Sequence, residues 1–214
     1  AAAELTWALI LSAMRDLPAQ MAALKAGQWQ AGVGRSLRGR TIGIYGAGRI
    51  GQLVAGYARA FGMEVIWWGS AARRAALVAA GETVPKSRAA FFGGADVISL
   101  HLRLVPQTRG IVTAKDLARM REDAVLVNTS RAGLIEAGAL LLALTKGRPA
   151  MAALDVFDVE PVLDPNDPLL THPRVIATPH IGFVTRDEFD LQFGEIYDQI
   201  NAFTSGAPLN LVAG

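Results

Sequence analysis

Six consecutive residues, Gly46-Ala47-Gly48-Arg49-Ile50-Gly51, carry the glycine spacing of a phosphate-binding turn. Each glycine has its own physical task. Gly46 permits the tight turn, Gly48 lets backbone approach a pyrophosphate, and Gly51 lets the next helix pack closely on the strand. Free N–H groups at the helix start, from Arg49 and Ile50 onward, then face the phosphates, and the helix dipole favours negative charge there. The glycine spacing alone is weak. Its context strengthens it: the apolar run Thr41–Tyr45 precedes it and a helical pattern follows. A purely structural glycine turn and the glycine loop of a methyltransferase are the competing readings.

The end of the second strand is where an Asp or Glu would bind an adenosine 2′-hydroxyl. The sequence there is Trp67-Trp68-Gly69-Ser70, with Arg73 and Arg74 close behind. Without the acid, nothing repels a 2′-phosphate, and Ser70 with Arg73 could bind one. The expected cofactor is NAD(H) or NADP(H), with a lean to NADP(H). Solvated helix arginines are the alternative. Trp67 and Trp68 read as packing residues of a buried strand rather than as an adenine stack.

Three further motifs lie at strand ends in the second half. They are Val127-Asn128-Thr129-Ser130-Arg131-Ala132-Gly133, then Leu154-Asp155-Val156-Phe157-Asp158-Val159-Glu160-Pro161, then Thr178-Pro179-His180-Ile181-Gly182. In an open parallel sheet the carboxyl ends of the strands form the binding crevice. Arg131, Glu160 and His180 can therefore converge although they are far apart in sequence. The chain has three histidines. His101, at a strand end, is the rival acid–base group, and His172, beside Pro173, reads as a surface loop residue.

The elements that must hold these residues follow an alternating pattern. Strands are expected at Thr41–Tyr45, Val65–Trp68, Val97–Leu100, Ala124–Val127, Met151–Leu154 and Val175–Ala177. Helices are expected near 49–61, 71–80, 113–120, 136–145 and 185–204, after a leading helix over about 3–26 bent or interrupted at Pro18. Its apolar segment Leu5–Leu11 belongs either to the core or to a subunit interface. Strands alternating with helices predict an α/β fold: a Rossmann-type doubly wound parallel sheet in three layers, α/β/α. The expected organisation is one dinucleotide-binding domain over 1–214. Within it, 1–26 is the leading helix and possible dimer element, 36–183 the core, and 185–204 a closing helix.

Composition narrows the classes. In 214 residues, 51% are hydrophobic and 19% charged, which is a globular balance. The net charge is only +2 and no basic run exceeds a pair, so no nucleic-acid footprint is present. The longest early apolar run is too short for a bilayer. The absence of cysteine removes disulfides and thiolate metal sites, and a cytoplasmic protein with no metal is expected.

Taken together, these motifs resemble the cofactor domain of the D-isomer-specific 2-hydroxyacid dehydrogenases. The glycine turn, Asp96-Val97-Ile98-Ser99-Leu100-His101, the Asn-Thr-Ser-Arg segment, the Asp-Val-Phe…Glu-Pro segment and Pro-His-Ile-Gly occur in the family's order and approximate spacing. The resemblance implies that Arg131 holds the substrate carboxylate, a task that suits a planar guanidinium. It implies that His180 is the acid–base group and Glu160 its partner. It also implies that Asp155 contacts the nicotinamide carboxamide, and that His101 and Thr129 lie beside the cofactor.

The function so implied is interconversion of a small 2-keto acid and its D-2-hydroxy acid by an NAD(P)-dependent oxidoreductase, acting as a homodimer. The resemblance implies a substrate domain built from chain before and after the cofactor domain, and this sequence is expected to be the cofactor domain of a larger enzyme, without most of that second domain. The chain by itself is therefore expected to bind dinucleotide with little turnover. A dinucleotide-sensing regulatory or corepressor-like protein is the competing reading, because such proteins resemble this family too.

Overall fold

A computed structural model describes residues 1–211. In chain order the elements are α1 (Ala2–Arg15), α2 (Leu17–Lys25), β1 (Thr41–Tyr45), α3 (Arg49–Ala60), β2 (Glu64–Trp68), α4 (Ala71–Ala79) and α5 (Arg88–Gly94). They continue with β3 (Val97–Leu100), α6 (Ala114–Leu117), β4 (Val125–Asn128), α7 (Ala139–Thr145), β5 (Met151–Leu154), β6 (Val175–Ala177) and α8 (Arg186–Thr204). The six strands form one parallel sheet in the order β2-β1-β3-β4-β5-β6. Both faces are covered, which is why β3 and β4 are buried at every residue. The fold is the Rossmann-type α/β/α arrangement.

Two apolar clusters flank the sheet. On one face α1 and α3 lay Trp7, Ile10, Met14, Val54 and Ala58 against Ile42, Ile44, Val97 and Val125. On the other, Phe91 and Phe92 of α5, with Leu117, Leu140 and Leu144, cover Ile98, Leu100 and Leu126. Each fully buried Ile, Leu or Phe in these clusters contributes roughly 1.5–3 kcal/mol by leaving water.

The chain goes from β1 outward to β2, then crosses back to place β3 on the other side of β1. That reversal opens a crevice at the carboxyl ends of β1 and β3. The glycine turn follows β1 and His101 follows β3, so both stand at the crevice. Asp96 stands at the opposite edge. Its carboxylate accepts from the Thr41 amide at 2.8 Å and from Arg40 Nη1 at 3.0 Å, which pins the starts of the same two strands.

Three expectations are corrected and one is narrowed. The leading helix is two helices, broken at Asp16, whose φ of 51° is left-handed. Pro18 sits in the first turn of α2, where its missing N–H costs nothing. Of the two places expected for the apolar segment of α1, the core takes Trp7, Leu9 and Ile10, buried against α3 and the sheet, while Leu5 and Leu11 are half-buried. Helix α5, absent from the expected set, is capped by the Ser87 side chain and held by the two buried phenylalanines. Helix α8 closes nothing, since none of its residues is buried. Its apolar stripe of Phe189, Phe193, Ile196, Ile200 and Phe203 has no partner among the described residues. No helix among those residues is long and apolar enough to cross a membrane.

Candidate active site

The turn after β1 is built by exclusion. Gly46 has φ 109°, and a Cβ there would overlap the His101 carbonyl. A Cβ on Gly51 would overlap the Gly46 carbonyl. Gly48 differs: its φ is −81°, and a Cβ on it would meet nothing within 4 Å. Two glycines are thus demanded by the fold, and the third keeps a space clear. Gly48 caps α3, Arg49 is exposed at its first turn, and the Ile50 side chain packs into the core cluster, so Ile50 can serve a ligand only through its backbone. An open cradle at a helix N-terminus fits a pyrophosphate.

That cradle is one wall of a cleft of about 640 Å³, lined by Gly46, Gly48, Trp68, Gly69, Ser70 and His101 among others. Four arginines line it as well, Arg73, Arg74, Arg88 and Arg103, and no carboxylate does. Ser70 caps α4, its hydroxyl accepting from the Arg73 amide at 3.3 Å. The Arg74 guanidinium stacks on the Trp68 ring at 4.2 Å, and its buried Nε has no hydrogen-bond partner. Arg88 is tied down by Asp116 at 2.8 Å and by the Tyr45 hydroxyl at 2.9 Å. The sequence reading named Arg73 but not Arg103. The position of Arg103, just beyond the third strand, was the available signal.

His101 is half-buried in the cleft wall, and its Nε2 lies 2.8 Å from Ser99 Oγ. Burial pushes its pKa down to about 4, so the ring is neutral near pH 7. A ring held neutral near pH 7 makes a poor proton donor, which separates His101 from His180. His172 accepts from the Arg174 amide at 3.1 Å and sits in a loop.

On the far side of the crevice, three loops converge. The first follows β4. Buried Asn128 shapes it, donating to the Arg131 carbonyl at 2.9 Å and accepting from the Ser130 amide at 3.1 Å. This leaves the Arg131 side chain exposed, its Nη1 donating to the Ser130 carbonyl at 2.6 Å. The Thr129 hydroxyl lies 2.6 Å from that of Thr6, which donates to the Ala2 carbonyl at 2.8 Å. A hydroxyl has one proton, so Thr129 donates to Thr6, and α1 is tied to this loop.

The second and third loops meet at Glu160 and His180. His180 Nδ1 is 2.6 Å from Glu160 Oε2, while Glu160 Oε1 accepts from the Phe157 amide at 2.8 Å. Partial burial raises the Glu160 pKa, but the His180 and Phe157 hydrogen bonds and the charges of His180 and Arg131 outweigh it. The carboxyl is held below its usual range. No hydrogen bond or ion pair among the described residues joins Arg131 to Glu160 or His180; its loop follows β4, the neighbour of β5 in the sheet. His180 has a φ of 52°, unusual for a residue with a Cβ, and strain of this kind concentrates at functional sites. Its ring meets Phe183 edge-on at 5.6 Å. Asp155 is fully buried beneath, bonded to the 178–182 loop rather than projecting from it.

The profile of a family described as "D-isomer specific 2-hydroxyacid dehydrogenase, NAD binding domain" matches residues 7–182. This chain belongs to that family. It is 41% identical over 187 residues to the D-3-phosphoglycerate dehydrogenase of Methanocaldococcus jannaschii, an alignment covering 86% of this chain and 35% of that protein. It is 37% identical to the glyoxylate reductase of Aeropyrum pernix, covering 99% of this chain and 66% of that one. A solved oxidoreductase from Ralstonia solanacearum is 45% identical and superposes with a TM-score of 0.95, covering 99% of this chain and 65% of that one. The chain thus spans between about one third and two thirds of the length of these relatives. Membership gives this chain the family's cofactor class, a nicotinamide dinucleotide.

Proposed function

We propose that this chain is the cofactor-binding and acid–base half of a D-2-hydroxyacid dehydrogenase that reduces a small 2-keto acid. The observation that carries the reading is the 2.6 Å contact between His180 Nδ1 and Glu160, in loops that follow strands of the same parallel sheet, at the carboxyl-end side where the glycine cradle follows β1. The cradle at Gly46, Gly48 and Gly51 would hold the dinucleotide, whose nicotinamide would supply or accept the hydride. Glu160 orients the imidazole through Nδ1, which leaves Nε2 to give a proton to the keto oxygen and take it back in reverse. Arg131, exposed at the mouth, offers a planar fork to the substrate carboxylate. Relatives named as glyoxylate and hydroxypyruvate reductases support a small 2-keto acid as the substrate class.

The preferred dinucleotide is NADP(H). Gly69 puts no acid at the ribose, and Ser70, Arg73, Arg74 and Arg103 line that end of the cleft without a carboxylate among them. The partnerless Nε of Arg74 is a donor awaiting an acceptor. The test is a titration of the purified chain with NADPH and NADH, read by tryptophan fluorescence. Tighter binding of NADPH is expected, and a clear NADH preference would sink this part. Binding of S-adenosylmethionine in place of both would point to a methyltransferase and overturn the whole reading.

A further inference from the structure

Asp155 is the least exposed acid at the site, at 0%, and its carboxylate accepts three hydrogen bonds. Its Oδ1 accepts from the Thr178 hydroxyl at 2.6 Å and from the Ile181 amide at 2.9 Å. Its Oδ2 accepts from the Gly182 amide at 2.9 Å. These donors bracket His180, two residues before it and one and two after. His180 itself is in the left-handed region, and its own amide donates to the Thr178 carbonyl at 3.0 Å, closing a tight turn. A residue with a Cβ holds that conformation only where its surroundings over-determine it. The bonds within the turn do not suffice, because they involve only one amide. The carboxylate supplies the rest, from a separate strand end 23 to 27 residues away.

Gly182 belongs to the same device. A Cβ on it would come within 3.1 Å of Asp155 Oδ2, so glycine lets the loop settle onto the acid. A carboxylate suits this place better than an amide would. All three partners are donors, and Asn would turn an N–H₂ toward at least one of them.

We infer that Asp155 is a positioning residue: its buried carboxylate clamps both sides of His180 and so aims the imidazole at Glu160. This rests on reading His180 and Glu160 as the proton relay, but its test needs neither dinucleotide nor substrate. A contact from Asp155 to a bound nicotinamide, as the family resemblance implies, is a separate role.

The test uses the 214-residue chain with carboxyl-labelled glutamate, following Glu160 by NMR against pH, with Glu160→Gln to assign its signal. In the native chain Glu160 titrates below the usual carboxylate range because His180 bonds to it. In Asp155→Asn the imidazole is released, and Glu160 is expected to titrate higher than in the native chain. A merely structural Asp155 would lower the melting temperature and leave the Glu160 titration in place. Thr178→Val, which removes one of the three clamps, is expected to move Glu160 in the same direction by less. If Asp155→Asn does not fold, Thr178→Val decides. An unmoved Glu160 in whichever of the two is folded overturns the inference.

Discussion

Glu160 Oε2 and His180 Nδ1 are 2.6 Å apart, and the pair joins two loops separated by 20 residues of chain. Their side chains are 33% and 27% exposed, so water screens the pair and its effect on stability is modest. The direction is still fixed. Glu160 has a folded-state pKa below its unfolded value, so its stabilisation is fully present above the unfolded value. It is lost as pH falls through the lower, folded value. Glu160→Gln should melt about 1–3 °C below the native chain at pH 7, a shift that corresponds to less than ~1 kcal/mol. The difference should vanish in acid. A gap that persists unchanged at low pH would contradict the charged pair.

The three glycines of the cradle should separate fold from binding. Gly46→Ala and Gly51→Ala each drive a Cβ into a carbonyl oxygen and should cost roughly 2 kcal/mol or more. Gly48→Ala meets nothing, and its backbone suits alanine, so stability should stay within about 1 kcal/mol of the native chain. Its methyl would nonetheless occupy the space the pyrophosphate requires. Dinucleotide affinity should fall at least tenfold, about 1.4 kcal/mol. Thermal melts paired with fluorescence titrations distinguish the cases. Native-like binding by Gly48→Ala would refute the cradle.

Much of this was legible locally. The run Thr41–Tyr45 and the glycines after it are contiguous, so strand, turn and helix could be read from neighbours alone. Gly69 was legible by absence, as the missing acid at a strand end. Arg131, Glu160 and His180 came through family resemblance, because nothing short-range ties them together. What stayed hidden depends on distant partners. Helix α5 contains Phe91-Phe92 and Gly93-Gly94, a poor helical sequence, and exists because both rings enter the core. The left-handed backbone of His180 is imposed by Asp155 from another strand. Pro18 drew attention as the helix breaker, yet the break is at Asp16, since a proline in a first turn is harmless.

Gly69→Asp should move the cofactor preference toward NADH. The backbone at Gly69 is not left-handed, and a Cβ there would touch only the Arg73 Cβ and Cγ, at 3.4 and 3.3 Å. A flexible side chain can yield those few tenths of an ångström. The new carboxylate would accept from an adenosine 2′-hydroxyl and repel a 2′-phosphate. The NADPH-to-NADH affinity ratio should fall about tenfold or more, or ~1.4 kcal/mol. An unchanged ratio would show that the arginines, and not the missing acid, set the choice.

The chain by itself should bind dinucleotide and turn over almost nothing. Arg131 is exposed, His180 keeps 27% of its side-chain surface open, and no described element covers either from the substrate side. The stripe on α8, from Phe189 at 38% to Phe203 at 73% exposed, also faces solvent. Hydride and proton transfer depend on a substrate held near its reacting geometry, an effect that reaches roughly 7–11 kcal/mol when positioning is complete. A cleft with one wall supplies the relay without that restraint, and water enters freely. NADPH consumption with glyoxylate, hydroxypyruvate or pyruvate should stay at the level of His180→Ala, while fluorescence still reports bound dinucleotide in both. Reduction clearly above that variant would mean that Arg131, Glu160 and His180 orient a keto acid unaided, and that closure contributes little.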